Sequence, residues 1–214
     1  MKKKVTAPYF LYPTVFFLFA ALLPYLFFPK GDIHIFLNTF HSSFFDYIFV
    51  VATWFGYGFI PFLVGLFFLL VQYRYSFVLI LSAALSGIMV QILKRVVFGD
   101  CPRPVAFIGE QYSLYLVEGV KQLSHFSFPS GHATTAFALC YGLALFSTSR
   151  IWQLVLFLTA FLIAYSRVYL SQHFLLDVGV GAALGAICCF GVYVWLHNVR
   201  GNWLDKNLTQ QLYK

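Results

Sequence analysis

Charge is scarce in this sequence. Of 214 residues only 10% are Asp, Glu, Lys or Arg, while 61% are hydrophobic and 21% aromatic. A soluble domain carries about 25% charged and 45–50% apolar residues. A chain this short has too little interior to hide so many apolar side chains, so a water-soluble globular fold is excluded and the bilayer is expected to be the solvent for most of the surface. Cysteine is also scarce. Cys140, Cys188 and Cys189 lie in apolar runs and only Cys101 lies in a polar stretch, so no disulfide framework is evident. No Cys/His spacing fits a zinc site, and no metal or other cofactor is expected. Acidic residues are half as many as basic ones, with 7 Asp and Glu against 14 Lys and Arg for a net charge of +7. The cations sit at the ends of apolar runs, where they read as orientation signals and headgroup contacts rather than as a nucleic-acid surface. No internal repeat, low-complexity tract, second domain or protein-partner signature is present.

What the sequence does have is six apolar segments, each near the ~20 residues that cross a bilayer. They run roughly over residues 9–28, 44–71, 76–93, 131–146, 151–165 (extending toward 170) and 174–197. The second is long and expected to break near Gly56 and Gly58; the fourth is short. The expectation is an all-α integral membrane bundle of six transmembrane helices, forming one domain over residues 1–214. The first segment has the basic start of a signal peptide, but Leu26-Phe27-Phe28-Pro29-Lys30 is too bulky for a cleavage site, so it is read as a retained helix.

With the amino terminus inside, Lys2, Lys3, Lys4, Arg74, Arg150, Arg200 and Lys206 fall on the inner face, and Lys30, Lys94, Arg95, Arg103, Lys121 and Arg167 on the outer one. The bias is modest and sharpens if several outer cations have a separate task. This predicts a multi-pass inner-membrane protein with both termini cytoplasmic. It also places three polar stretches, residues 94–104, 128–132 and 166–177, together on the outer face. Residues 105–128, with Glu110, Glu118, Lys121 and His125, link the third and fourth spans and are expected to lie over that face, as a cover or as a plain surface loop.

Each stretch has a functional and a structural reading. His173 and Asp177 are four apart, so on one helix they share a face. The carboxylate would then set the imidazole tautomer and leave the other nitrogen as nucleophile or base; the same spacing suits a polar pair capping the sixth helix. Arg167 suits bidentate contact with phosphate oxygens, or an interfacial anchor. Ser130 is a natural N-cap and Gly131 permits close backbone approach, at a helix start of the kind that binds anions. His132 then sits on the first turn, where it can pass a proton to a leaving oxygen, or is an ordinary interfacial histidine. Lys94, Arg95 and Arg103 add positive charge, for a substrate or for headgroups. Gathered on one face, these groups match what phosphoryl transfer needs: cations around the equatorial oxygens, an in-line nucleophile and an acid opposite. They leave no obvious place for a metal.

The stretches Phe128-Pro-Ser-Gly-His132 and Ser166-Arg167-x5-His173-x3-Asp177 resemble the second and third signatures of the type 2 phosphatidic acid phosphatase superfamily, in the family's order. The six-segment layout from about Phe10 to His197 is similar too. The first signature, Lys-x6-Arg-Pro, is matched by Arg103-Pro104, but eight residues separate Lys94 from Arg103. A two-residue insertion around residues 99–102 would account for the spacing, with Arg95 as the fallback cation.

The resemblance implies that His173 attacks phosphorus and forms a phospho-histidine, while Asp177 orients and charge-stabilises it. It implies that His132 protonates the leaving alkoxide and then activates water. Lys94, Arg103, Ser130, Gly131 through its N–H, and Arg167 would hold the phosphate. It further implies metal-independent hydrolysis of a membrane lipid phosphate or diphosphate, for example undecaprenyl diphosphate, phosphatidylglycerol phosphate, phosphatidic acid or a lipid A phosphate. A lipid phosphotransferase would use the same phospho-histidine with another acceptor. Haloperoxidases share the signatures but are generally soluble. A lipid transporter or scaffold would need no histidine pair.

Overall fold

The long apolar runs become the long helices. The computed structural model describes residues 6–199 and 201–212. Lys2, Lys3, Lys4 and Arg200, four of the expected inner cations, and the Glu110 side chain lie outside the described residues. Among the described residues ten α-helices follow in chain order: α1 Pro8–Leu22, continued by a 3-10 turn to Leu26; α2 Lys30–Asn38; α3 Ser43–Trp54; α4 Phe59–Phe68; α5 Tyr73–Ile92, continued by a π turn over Leu93–Val97; α6 Pro104–Ile108; α7 Gly131–Leu145; α8 Arg150–Tyr169; α9 Leu175–Asn198; and α10 Leu208–Leu212. No strand occurs among the described residues.

Four of the six expected segments are helices long and apolar enough to cross a membrane by themselves: Pro8–Leu26, Tyr73–Val97, Arg150–Tyr169 and Leu175–Asn198. The second segment divides into α3 and α4 at residues 55–58, where the glycines predicted a break. The fourth, α7, has 15 residues. At 1.5 Å per residue it spans only about 22 Å, short of the ~30 Å hydrocarbon layer. It tolerates this because α5, α8 and α9 surround it and bury most of its side chains. Length alone therefore does not carry six full spans. Helix α2 was not anticipated; a 118° bend separates it from α3. On the rim, large apolar side chains face outward. Phe16 on α1 is 75% exposed and Ile151 on α8 equally so, as suits a surface solvated by lipid and not by water.

Lipid tails are as apolar as leucine, so close backbone approach has to hold such helices together. Gly181 and Gly185 supply it on α9. A Cβ at Gly181 would stand 2.6 Å from the Ser130 carbonyl oxygen, and one at Gly185 would collide with the Thr134 carbonyl. With only hydrogens there, the start of α9 lies flush on the start of α7. The Ser130 N–H donates to the Asp177 carbonyl at 2.9 Å, pinning the two helix starts. Behind them Phe10 of α1 stacks on Tyr141 at 5.1 Å and meets Phe137 edge-on at 5.8 Å. Serine side chains close three helix starts: Ser42 accepts from Phe45 N–H, Ser130 from Ala133 N–H and Ser149 from Trp152 N–H. At the far end of the bundle, Arg74 pairs with Asp205 at 3.0 Å and reaches the Leu196 carbonyl.

Candidate active site

The antiparallel run of α5, α7, α8 and α9 brings the end of α5, the start of α7, the end of α8 and the start of α9 to one end of the bundle. The three polar stretches meet there. His132 lies within electrostatic reach of Lys94, Arg103, Arg167 and His173.

The sequence spacing placed His173 and Asp177 on one helix. The structure corrects this: α9 begins at Leu175 with Phe174 as N-cap, and His173 lies in the preceding turn. That turn is held by Arg167, whose carbonyl accepts from the N–H groups of Gln172 at 2.9 Å and His173 at 3.0 Å. Asp177 sits on the first turn of α9 and folds back. Its Oδ2 accepts from the Phe174 N–H at 3.0 Å and the Ser127 hydroxyl at 2.5 Å, and lies 3.5 Å from His173 Nδ1. The carboxylate is thus both helix cap and imidazole partner, the two readings that the sequence left open. His173 Nε2 faces the other way, 3.4 Å from an Arg103 guanidinium nitrogen. Burial, then the positive charge of Arg103, Lys94 and Arg167, pushes the His173 pKa well below its ordinary value, so the ring is neutral.

The cations are held by neutral oxygens that leave their charge free for an anion. Arg103 Nε donates to the His125 carbonyl at 2.8 Å, and its NH1 donates to the Gln172 carbonyl at 2.9 Å. Burial lowers the Arg103 pKa, with Asp177 opposing the shift; a guanidinium is basic enough to stay charged regardless. Arg167 NH1 donates to the Thr53 hydroxyl at 2.6 Å and NH2 to Gln172 Oε1 at 3.4 Å, while its buried Nε has no hydrogen-bond partner. Lys94 is buried, and its ammonium donates to the Phe126 carbonyl at 2.9 Å.

The fold treats the two first-signature candidates differently. Ser82, Ser86, Val90 and Lys94 form a buried stripe at four-residue intervals, the inner face of α5. Arg95 is one position round the helix. It is exposed, bonded to Gln91 at 3.1 Å and placed over the Phe126 ring at 5.7 Å. The wide Lys94–Arg103 spacing is accommodated between the π turn over Leu93–Val97 and Gly99, which sits at φ +61°.

Across from His173, the start of α7 carries Ser130, Gly131 and His132. The His132 ring lies 5.0 Å from that of Tyr57, and its Nε2 is buried with no hydrogen-bond partner. A Cβ at Gly56 would stand 2.8 Å from the His132 ring. The break between α3 and α4 is therefore what makes room for this imidazole.

Several contributors went unnoticed in the sequence: Ser127, Gln172, Thr53 and Tyr57; Gly56 was read there only as a helix break. Ser127 begins the stretch 127–132 that holds Ser130 and His132, and its hydroxyl was the available signal. Gln172 has its oxygen toward both arginines, while its nitrogen donates to Gln122 Oε1 at 2.7 Å and to the Lys121 carbonyl at 3.2 Å. Residues 121–127 of the outer segment thus pack on the site, although the Lys121, Glu118 and His125 side chains are exposed. His125 pairs outward with Asp100 at 2.7 Å. A second network ties α2 and α3 to the same turn. His34 Nε2 lies 3.1 Å from the Ser171 hydroxyl, and Asp46 accepts from Tyr115 at 2.6 Å and Tyr169 at 2.5 Å.

An all-helical membrane bundle with two histidines, a carboxylate and three buried cations around one end defines a class of phosphoryl-transfer protein. The sequence pattern of the PAP2 superfamily matches residues 75–200, from α5 through α9 and just beyond, and the chain belongs to that superfamily. The crystal structure of Aquifex aeolicus LpxE, a PAP2 lipid phosphatase, is similar, with a TM-score of 0.66 at 30% identity over 75% of this chain and 92% of that one. No curated protein matches the chain. The protein is an integral membrane phosphatase of the lipid phosphatase type.

Proposed function

We propose that this protein hydrolyses a lipid phosphate or diphosphate at the outer face of the membrane, without a metal, through a phospho-histidine. The arrangement of His173 carries the reading: Nδ1 is turned to Asp177 and Ser127, and Nε2 to the cation cluster. A neutral imidazole oriented in this way keeps its Nε2 lone pair on the side of the cations, where the long Arg103 contact at 3.4 Å gives way to phosphorus as the nucleophile attacks. Nε2 bonds to phosphorus while Lys94, Arg103, Arg167, the Ser130 hydroxyl and the Gly131 N–H take up the charge on the equatorial oxygens. The bond from phosphorus to the leaving oxygen breaks, and His132 gives that oxygen its proton. In the second step His132 takes a proton from water, the water oxygen bonds to phosphorus, and the N–P bond to His173 breaks. Asp177 stabilises the imidazolium between the steps. The three fixed cations supply the charge neutralisation that a metal supplies elsewhere.

On this reading both termini are cytoplasmic, and residues 105–128 cover the site from outside. The experiment is phosphate release from a panel of lipid phosphates by purified protein in detergent with excess EDTA, together with trapping of labelled phospho-enzyme. Phosphate release and label on His173 are expected. Activity lost to chelator and restored by magnesium would refute the mechanism, and transfer of the label to an acceptor lipid in place of water would make the protein a phosphotransferase.

A further inference from the structure

His34 is a buried histidine with no part in the chemistry above. It lies on α2, is 2% exposed, and its Nδ1 has no hydrogen-bond partner. A half-satisfied imidazole in that position costs stability relative to an apolar side chain of similar size. Its neighbours give the placement a purpose, because His34 meets both ends of the turn that carries the nucleophile. Its Nε2 lies 3.1 Å from the hydroxyl of Ser171, two residues before His173. Its ring stands edge-on to Phe174, the residue after His173, at 5.5 Å.

Ser171 is fully buried at φ +53°. A residue with a Cβ holds this left-handed conformation only where its surroundings fix it. Backbone bonds tie the turn to α8: the Ser171 N–H donates to the Val168 carbonyl, and those of Gln172 and His173 to the Arg167 carbonyl. The Ser171 side chain is held from α2, since the Asn38 amide also donates to its hydroxyl, at 3.3 Å. Asn38 is fixed in turn by Tyr115, whose N–H donates to its Oδ1 at 2.7 Å and whose carbonyl accepts from its Nδ2 at 2.9 Å. Phe174 is enclosed further by Phe107, edge-on at 5.6 Å, and by the Lys30 ammonium of α2, 4.8 Å from its ring centre. Helix α2 thus grips the chain on either side of the Gln172-His173 pair.

We propose that His34, with Asn38 behind it, is a positioning residue for the nucleophile. It acts through Ser171 and Phe174, and keeps the His173 ring at one angle between Asp177 and the cation cluster. The assignment rests on the nucleophile role proposed above for His173.

A plain core histidine would make the same contacts and matter only to stability. His34→Leu separates the two roles. Leucine fills much of the space and removes the unpaired nitrogen, so a core role predicts an unchanged or higher melting temperature and an unchanged rate. His34→Gln is the rescue, since its amide offers a donor or an acceptor near the place of Nε2. The first step is followed on the full chain in detergent, by rapid quench with a diacylglycerol phosphate labelled at phosphorus and by the burst of phenolate from an aryl phosphate. Wild type should label His173. His34→Leu should slow labelling and lower kcat/KM by about 10–100-fold, the scale of a small misplacement of reacting groups, with KM and melting temperature little changed, and His34→Gln should recover most of the rate. Unchanged labelling in His34→Leu, a loss confined to KM, or equal losses in the two variants would each overturn the assignment. Should His34→Leu fail to fold, Ser171→Gly carries the test. Glycine takes φ +53° without strain and removes the hydroxyl, so the same slowing is expected, and a full rate would overturn the assignment. No label on wild type from either substrate would bring down the nucleophile reading itself, and this assignment with it.

Discussion

The two histidines sit in opposite kinds of surroundings. His173 is almost fully buried in a turn whose backbone is tied to Arg167, with Asp177 and Ser127 on one ring nitrogen and Arg103 at the other. His132 has a buried Nε2 with no hydrogen-bond partner, a tilted tyrosine ring for company and a glycine-walled cavity beside it. The difference matches two tasks. A nucleophile gains from being held in one tautomer and one direction before substrate arrives. A group that gives and retakes a proton needs a free nitrogen and space for the oxygens that come and go. The locked side is built from α8 and α9, and the open side from the α3–α4 break and α7.

The comparison can be broken at its locked end first. His173→Ala should remove all turnover and all phospho-enzyme, with folding checked by thermal melt. His132→Ala should slow turnover by about 10²–10⁴, the usual worth of general acid–base catalysis, and least on an aryl phosphate, whose leaving oxygen needs little protonation. If His173→Ala keeps substantial activity while His132→Ala forms no phospho-enzyme, the roles are reversed. Lys94→Ala should cost about 10²–10³ in kcat, as for a lost charge-stabilising donor. Arg95→Ala should leave kcat within about twofold, as expected of a surface side chain. Equal losses at the two positions would mean that the inward stripe on α5 does not select the working cation.

A smaller effect sharpens the contrast. Ser127→Ala removes one hydrogen bond from the buried Asp177 carboxylate, leaving that from Phe174. Such a bond to a charged group contributes about 1.5–3 kcal/mol. The expected outcome is a fall of about tenfold or somewhat more in kcat with KM little changed. Ser127→Thr, which keeps the hydroxyl, should recover much of it. A fall in KM alone would place Ser127 outside the nucleophile's support.

Much of the architecture was legible in the chain because lipid imposes a simple rule. Every backbone polar group must be satisfied within the segment, so a long apolar run is a helix. The first, third, fifth and sixth segments follow that rule within a few residues, and Gly56 and Gly58 mark the break in the second. The signatures around His132 and His173 were legible because they are contiguous in sequence. Helix α2 was not, since nine residues with Lys30, Asp32, His34 and Asn38 lack an apolar period of their own and are helical because they pack on α6 and α8.

By itself, then, the sequence determined the solvent, the helical class, the family and the short stretches proposed to carry the chemistry, because each of these depends on composition or on neighbours along the chain. The tertiary structure alone decided that Lys94 points inward and Arg95 does not, and that His173 precedes its helix. It alone brought Thr53, Ser127 and Gln172 to the same cluster of charges. These depend on the close approach of α7 and α9 at Gly181 and Gly185 and on the turn of α5 about its axis. Both are set by packing between segments far apart in sequence, where a rotation of one residue, about 100°, moves a cation from the buried cluster to the exposed side of the same turn.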